Sequence, residues 1–137
     1  FRSARVSFLA GFLFVDNRLD LNILSETIAL SAIQNIAEAL PLAVKDGMDL
    51  KAREKVAYGS TMAGIAMQLT STTAQHSMEH AMSAYHHNLP HGAGLIMISR
   101  AFAEFFIEKH ACDGQFIKMA KVMGIMLLFA SIGNYLT

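Results

Sequence analysis

The sequence predicts an all-α fold, and three observations predict it. Between positions 24 and 40 apolar residues recur at steps of three and four, the signature of one apolar helical face. No stretch alternates apolar and polar residues as a half-buried strand does. Residues of N-cap type, with Pro and Gly between them, punctuate the chain at helix-like intervals. The expected architecture is an orthogonal bundle of about five or six helices. The 137 residues suffice for one domain with a real core, so residues 1–137 read as a single helical domain.

Residues 1–22 carry apolar side chains without a clean period, and Asp16-Asn17-Arg18 reads as a turn. A helix then starts near Asn22 or Ser25, both good N-cap types, with Leu24, Ile28, Ala32, Ile33, Ile36, Ala37 and Leu40 as its apolar face. Pro41 ends it or kinks a short continuation through Val44. After an Asp46-Gly47 turn, Asp49 caps a second helix. Its later part holds Gly59, Ala63, Gly64 and Ala66, small residues that let another backbone approach. Glycine inside a helix costs about 1 kcal/mol relative to Ala, so core crowding or a ligand is expected to justify these. A third helix is expected from about Thr73 to Ala84, a loop over Tyr85–Pro90, and a fourth helix from about Gly92 to Lys109. The core side of that fourth helix is read as Ile96, Phe102, Phe105, Phe106 and Ile107. Asp113 caps a fifth helix, with Gly124 as its stop.

Composition narrows the function classes. The chain is 53% hydrophobic and 16% charged, against roughly 25% charged in an average soluble domain, so much surface is buried or covered. With 11 basic and 11 acidic residues it has no net charge and no basic patch, which argues against nucleic acid as a partner. The single Cys112 excludes an internal disulfide framework and suits a reducing, cytoplasmic compartment. The apolar runs Val6–Val15 and Ile125–Ile132 fall far short of the roughly 20 residues a spanning helix needs, so no membrane segment is expected. Arg2 and Arg5 precede the first run as in a signal peptide, but no convincing cleavage region follows.

Five of the six histidines, His76, His80, His86, His87 and His91, fall within one short stretch. Imidazole is the commonest protein metal ligand. His76 and His80, four apart, share a helical face one turn apart, and His91 opens the next helix after a loop short enough to fold back. Such a set suits Zn²⁺, Fe²⁺, Cu²⁺ or Ni²⁺. The run His76-x-x-Glu79-His80 also matches the inverted zinc-protease motif, with Glu79 as general base, but the third acidic ligand would have to come from Glu104 or Glu108.

The Ala63-Gly64 element, His76-x-x-x-His80 and Pro90-His91-Gly92 together resemble the C-terminal helical domain of the iron-containing (group III) alcohol dehydrogenases. The helix Leu30–Leu40 and the stretch from Val44-Lys45-Asp46-Gly47 to Ala52-Arg53-Glu54 extend that resemblance over about residues 29–124. It implies the helical half of a two-domain dehydrogenase. His76 and His91 match two of the family's four metal ligands, and His80 matches a histidine lining the cleft near nicotinamide and substrate. His86 and His87 fall in the variable loop. The implied metal is Fe²⁺ or Zn²⁺, acting as a Lewis acid while hydride passes between a small alcohol or aldehyde and NAD(P); His80 could shuttle the hydroxyl proton.

The chain departs from this pattern at both ends. The family's upstream Asp and His ligands fall near Leu9 and Leu13, which cannot ligate a metal, although Asp16 and Asp20 are near. No Gly-rich phosphate loop occurs, so the nucleotide-binding domain is missing from this sequence. Residue 1 is Phe, and a fragment or a processed chain is expected. The alternative expectation is a truncated, non-catalytic helical module for oligomerisation or metal binding. Surface that faces the missing domain would be apolar, which predicts a homo-oligomer.

Overall fold

Five α-helices make up the described part of the chain, residues 23–124 of a computed structural model, and no strand occurs among them. In chain order they are α1 (Ile23–Lys45), α2 (Leu50–Leu69), α3 (Ala74–Tyr85), α4 (His91–Glu108) and α5 (Asp113–Val122). The expected all-α class holds, and the helix limits lie within a residue or so of the sequence reading for α3 and α4. The turn at Asp16, the Leu9 and Leu13 positions and both short apolar runs lie outside the described residues.

α1 runs through Pro41 without stopping. Its buried row is Ser25, Ala29, Ala32, Ile33, Ile36 and Ala39. The centre of the expected face, Ala32, Ile33 and Ile36, is buried, and Ile28 and Leu40 are half-buried against it; Leu24 is the exception and is exposed. Small residues on α2, Ala63 and Ala66, let this row, Ile33 and Ile36 included, pack closely. By length and composition alone α1 is apolar enough to cross a bilayer. Its packing against α2 and α5, and the ion pairs Glu38–Lys55 (3.1 Å) and Glu26–Lys118, tie it to the other helices.

Asp46 Oδ1 accepts from the Met48 amide (2.8 Å) in the expected turn, and Asp49 Oδ1 accepts from the Ala52 amide (3.0 Å), capping α2. The α1–α2 seam consists of Ala32, Ile33 and Ile36 against Ala63 and Ala66, and Met119, Val122 and Met123 of the α5 region close it. Gly59 explains itself here: a Cβ at this position would lie 2.7 Å from Ile36 Cγ1 and 3.1 Å from the Ala32 carbonyl oxygen. Crowding therefore accounts for Gly59. It does not account for Gly64, where a Cβ meets nothing within 4 Å.

A second cluster joins α4 to α5 through Phe102 and Phe116, with Phe106, Ile107 and Met119 against them. Met119 belongs to both clusters and so links the two cores. Two expectations about this end are corrected. Ile96 and Phe105 are exposed rather than on the core side of α4, because the buried stripe runs through Leu95 and Phe102. Asp113 is the first residue of α5, and its N-cap is Cys112 in the left-handed region (φ 78°). That chain reversal also holds His110 at φ 50°. Gly124 follows α5 with φ 69°, the left-handed stop that glycine adopts without steric cost.

The two helical glycines of α2 are expected to behave oppositely. Gly59→Ala should lower stability by about 1–2 kcal/mol, since the overpacking cost exceeds the gain in helix propensity. Gly64→Ala should raise it by about 0.5–1 kcal/mol. Chemical denaturation of both variants measures the difference.

Candidate metal centre

α3 and α4 pack against each other and bring the histidine stretch together. The buried side of α3 is polar: Gln75, His76 and Glu79. Gln75 Nε2 donates to the Leu95 carbonyl of α4 (3.0 Å) within the interior, which sets the register of the two helices. Thr73 occupies the α3 N-cap without a side-chain capping bond. The loop then closes tightly, with the Leu89 amide donating to the His86 carbonyl (2.9 Å). Pro90 takes the N-cap position of α4 and its carbonyl accepts from Ala93 and Gly94, so His91 is the first helical residue.

His91 consequently sits between the two α3 imidazoles. Its ring centroid is 5.4 Å from that of His76 and 5.5 Å from that of His80. His86 and His87 are exposed in the loop, and His110, just after the C-terminus of α4, pairs with Asp113 at 3.2 Å. The structure therefore gathers His76, His80 and His91 and leaves the other three apart. Donor atoms of Glu79, His80 and His91 lie within 4.8 Å of one another, a spacing that one metal ion could bridge. By distance alone His80 stands as near to His91 as His76 does.

His76 differs in its surroundings. Its side chain is buried, and neither Nδ1 nor Nε2 has a hydrogen-bond partner among the described residues. Burial first, and then the neighbouring His91 and His80, push its pKa below the ordinary value of 6.5, against the pull of Glu79. The lowered pKa favours the neutral ring, the state in which imidazole ligates a metal. An orphaned, buried nitrogen beside two further imidazoles is a donor set that fits Fe²⁺ or Zn²⁺.

Glu79 is the residue that the sequence reading placed only in the protease alternative. Its carboxylate is fully buried. Oε1 accepts from the Ser83 hydroxyl and Oε2 is bonded to His91 Nδ1. Burial alone would raise this carboxyl, but the bonds from Ser83 and His91, with the nearby His80, outweigh it and lower the pKa. Gly94 makes the room: a Cβ there would stand 2.8 Å from both Cγ and Oε1 of Glu79. The i, i+4 spacing of Glu79 and Ser83 was a signal for this pair; the crossing to His91 had none in sequence. The protease alternative loses support, because Glu104 points outward to Arg100 (2.8 Å) and Glu79 is occupied.

The model of the "Fe-containing alcohol dehydrogenase family, C-terminal" matches residues 18–132. The chain belongs to that family. The match is wider than the stretch 29–124 that carried the sequence resemblance. Similar proteins include the probable alcohol dehydrogenase EutG of Escherichia coli, 32% identical over 99 residues, which are 72% of this chain and 24% of that protein. The 1,3-propanediol dehydrogenase of Citrobacter freundii is 32% identical over 105 residues, 77% of this chain and 26% of that one. The chain spans about a quarter of the length of these curated relatives. A crystal structure of the archaeal halo-thermophilic alcohol dehydrogenase ADH/D1 from a Red Sea brine pool superimposes with a TM-score of 0.66 at 26% identity. It covers 96% of this chain and 36% of that one. The family that the sequence resembles is therefore the family found.

A buried imidazole with no hydrogen-bond partner among the described residues weakens the metal-free fold. His76→Leu should raise the stability of chelator-treated protein by about 1 kcal/mol, where a hydrogen-bonded core histidine would lose stability on the same change. The sign of the pH dependence follows. Below the unfolded value of about 6.5 the unfolded imidazole takes up a proton that folded His76 refuses, so stability falls as pH drops through that value. The Leu variant should flatten this slope, as thermal melts between pH 5 and 7.5 would report. The lowered carboxyl of Glu79 acts in a separate, more acidic window, below the ordinary 4.5.

Proposed function

We propose that this chain forms the metal-holding helical wall of an oxidoreductase that moves hydride between a small alcohol or aldehyde and NAD(P). His76 and His91 are the metal ligands, and His80 is the catalytic residue of the cleft. What supports this most is the buried imidazole of His76, beside His91 and with no hydrogen-bond partner among the described residues, in a chain of this family. Fe²⁺, or Zn²⁺ in its place, supplies Lewis acidity toward the alcohol or carbonyl oxygen when bound. His91 offers Nε2, because its Nδ1 is taken by Glu79. His80 is exposed at the mouth of the group, where a ring nitrogen can take or return the hydroxyl proton. No Gly-rich phosphate loop occurs in the sequence, so NAD(P) is held by a nucleotide-binding domain outside these residues. The half-buried thiol Cys112 suits the cytoplasm.

The two histidine roles separate in experiment. His91→Ala should remove both bound metal and NAD(P)-dependent alcohol oxidation from the intact protein. His80→Gln should keep the metal and lower kcat by about 10²–10⁴-fold. Iron content and turnover that survive His91→Ala overturn the assignment. Bound metal without turnover in the unmodified protein favours the non-catalytic module instead.

Apolar surface also supports self-association. Met97, Ala101 and Phe105 form an exposed row along α4, four residues apart. Patches of this kind seek cover, and a homo-oligomer is the proposed state. Light scattering should return a mass of at least two chains; a clean monomer counts against it.

A further inference from the structure

We infer that Glu79 is a positioning residue for the metal centre: from inside the α3–α4 interface it holds His91 in the Nδ1–H tautomer, so that Nε2 alone is presented to a metal ion. The inference rests on the reading of His91 as a ligand, and three independent features of the structure carry it. The first is the bond between His91 Nδ1 and Glu79 Oε2. An ionised carboxylate only accepts, so the shared proton belongs to Nδ1 and Nε2 keeps its lone pair. The second is the occupation of the other oxygen: Ser83 donates to Oε1, one turn along α3. The carboxylate is thus held at both oxygens and cannot rotate away from His91. The third is Gly94, whose missing side chain is the space in which Glu79 lies.

No step of the proposed hydride transfer uses this buried acid, and simple packing would be served better by an apolar side chain. A ligating histidine commonly donates its other ring nitrogen to a carboxylate, which fixes the tautomer and raises the basicity of the donor atom. Glu79 has that relation to His91 and not to His76. His76 has no such partner among the described residues, so the two α3–α4 histidines reach the metal differently: one oriented by a charge, the other by burial. The location suits an anion as well, since the carboxylate lies against the first turn of α4, where the helix dipole favours negative charge.

The test uses the intact protein, stripped of metal and labelled with ¹⁵N-histidine, with Zn²⁺ as the probe. Long-range ¹⁵N–¹H correlations should show His91 as the Nδ1–H tautomer in the metal-free state. An Nε2–H tautomer there overturns the inference whether or not the protein binds metal, so its failure is distinct from failure of the metal assignment. Glu79→Met removes the acceptor at similar size and should weaken Zn²⁺ binding by about 10–100-fold in calorimetry. Glu79→Gln, which retains an acceptor for Nδ1–H, should recover much of that loss. Gly94→Ala, which displaces the carboxylate without changing its charge, should fall on the Met side. If Glu79→Met fails to fold, Ser83→Ala frees one oxygen and should give a smaller loss of the same sign. Folded variants that all bind Zn²⁺ as the unmodified protein does overturn the inference.

Discussion

The buried carboxylate of Glu79 is the constraint on which the histidine centre depends. A charge in that position is tolerable only because Ser83 and His91 both donate to it. Leaving a buried carboxylate without one of its donors costs about 1–3 kcal/mol. That cost makes the arrangement of α3 against α4 nearly discrete. Gln75, bonded to the Leu95 carbonyl, keeps the register from sliding, and Gly94 keeps the space open. The imidazoles are therefore held by an interface that is itself polar, an unusual choice for a chain this apolar.

The remaining helices solve a different problem. α1 and α2 pack through small side chains, and Gly59 brings their backbones so close that the Ala32 carbonyl would nearly touch an added methyl. α5 closes that seam with Met119 and reaches α4 through Phe116, so one methionine serves both apolar clusters. Its flexible thioether suits a site facing two differently shaped neighbours. The apolar cores thus leave the polar α3–α4 interface to carry the chemistry.

Much of this was legible in the residues. Period-3.6 patterning, Asp49 as a cap, the Asp46-Gly47 turn and the Gly124 stop all read out locally, because each depends on a few neighbouring residues. The gathering of His76, His80 and His91 was also legible: the i, i+4 spacing and the short loop through Pro90 leave few other arrangements. The buried row of α1 was legible at its centre, Ala32, Ile33 and Ile36, but not at Ser25, Ala29 and Ala39, since the edge of a broadly apolar helix face is chosen by the partner that packs on it. Ile96 and Phe105 were misplaced for the same reason, both being apolar on a helix with more apolar residues than its neighbours can cover. The cap of α5 shifted to Cys112 because the chain reversal after α4 placed two residues at positive φ, which no sequence signal there announced.

What the sequence by itself determined is the helical class and the order of the helices, which follow from local periodicity, and, through the resemblance carried by its histidine and glycine motifs, the family. Only the tertiary structure decided what each histidine near the centre experiences. His76 is buried with no hydrogen-bond partner among the described residues, and burial lowers its pKa; His91 gained Glu79 across the helix interface, and His80 stayed at the surface. Those differences arise from contacts between residues up to twenty positions apart in the chain, as in Gln75 with Leu95. Spacing along one helix carries no information about such a contact.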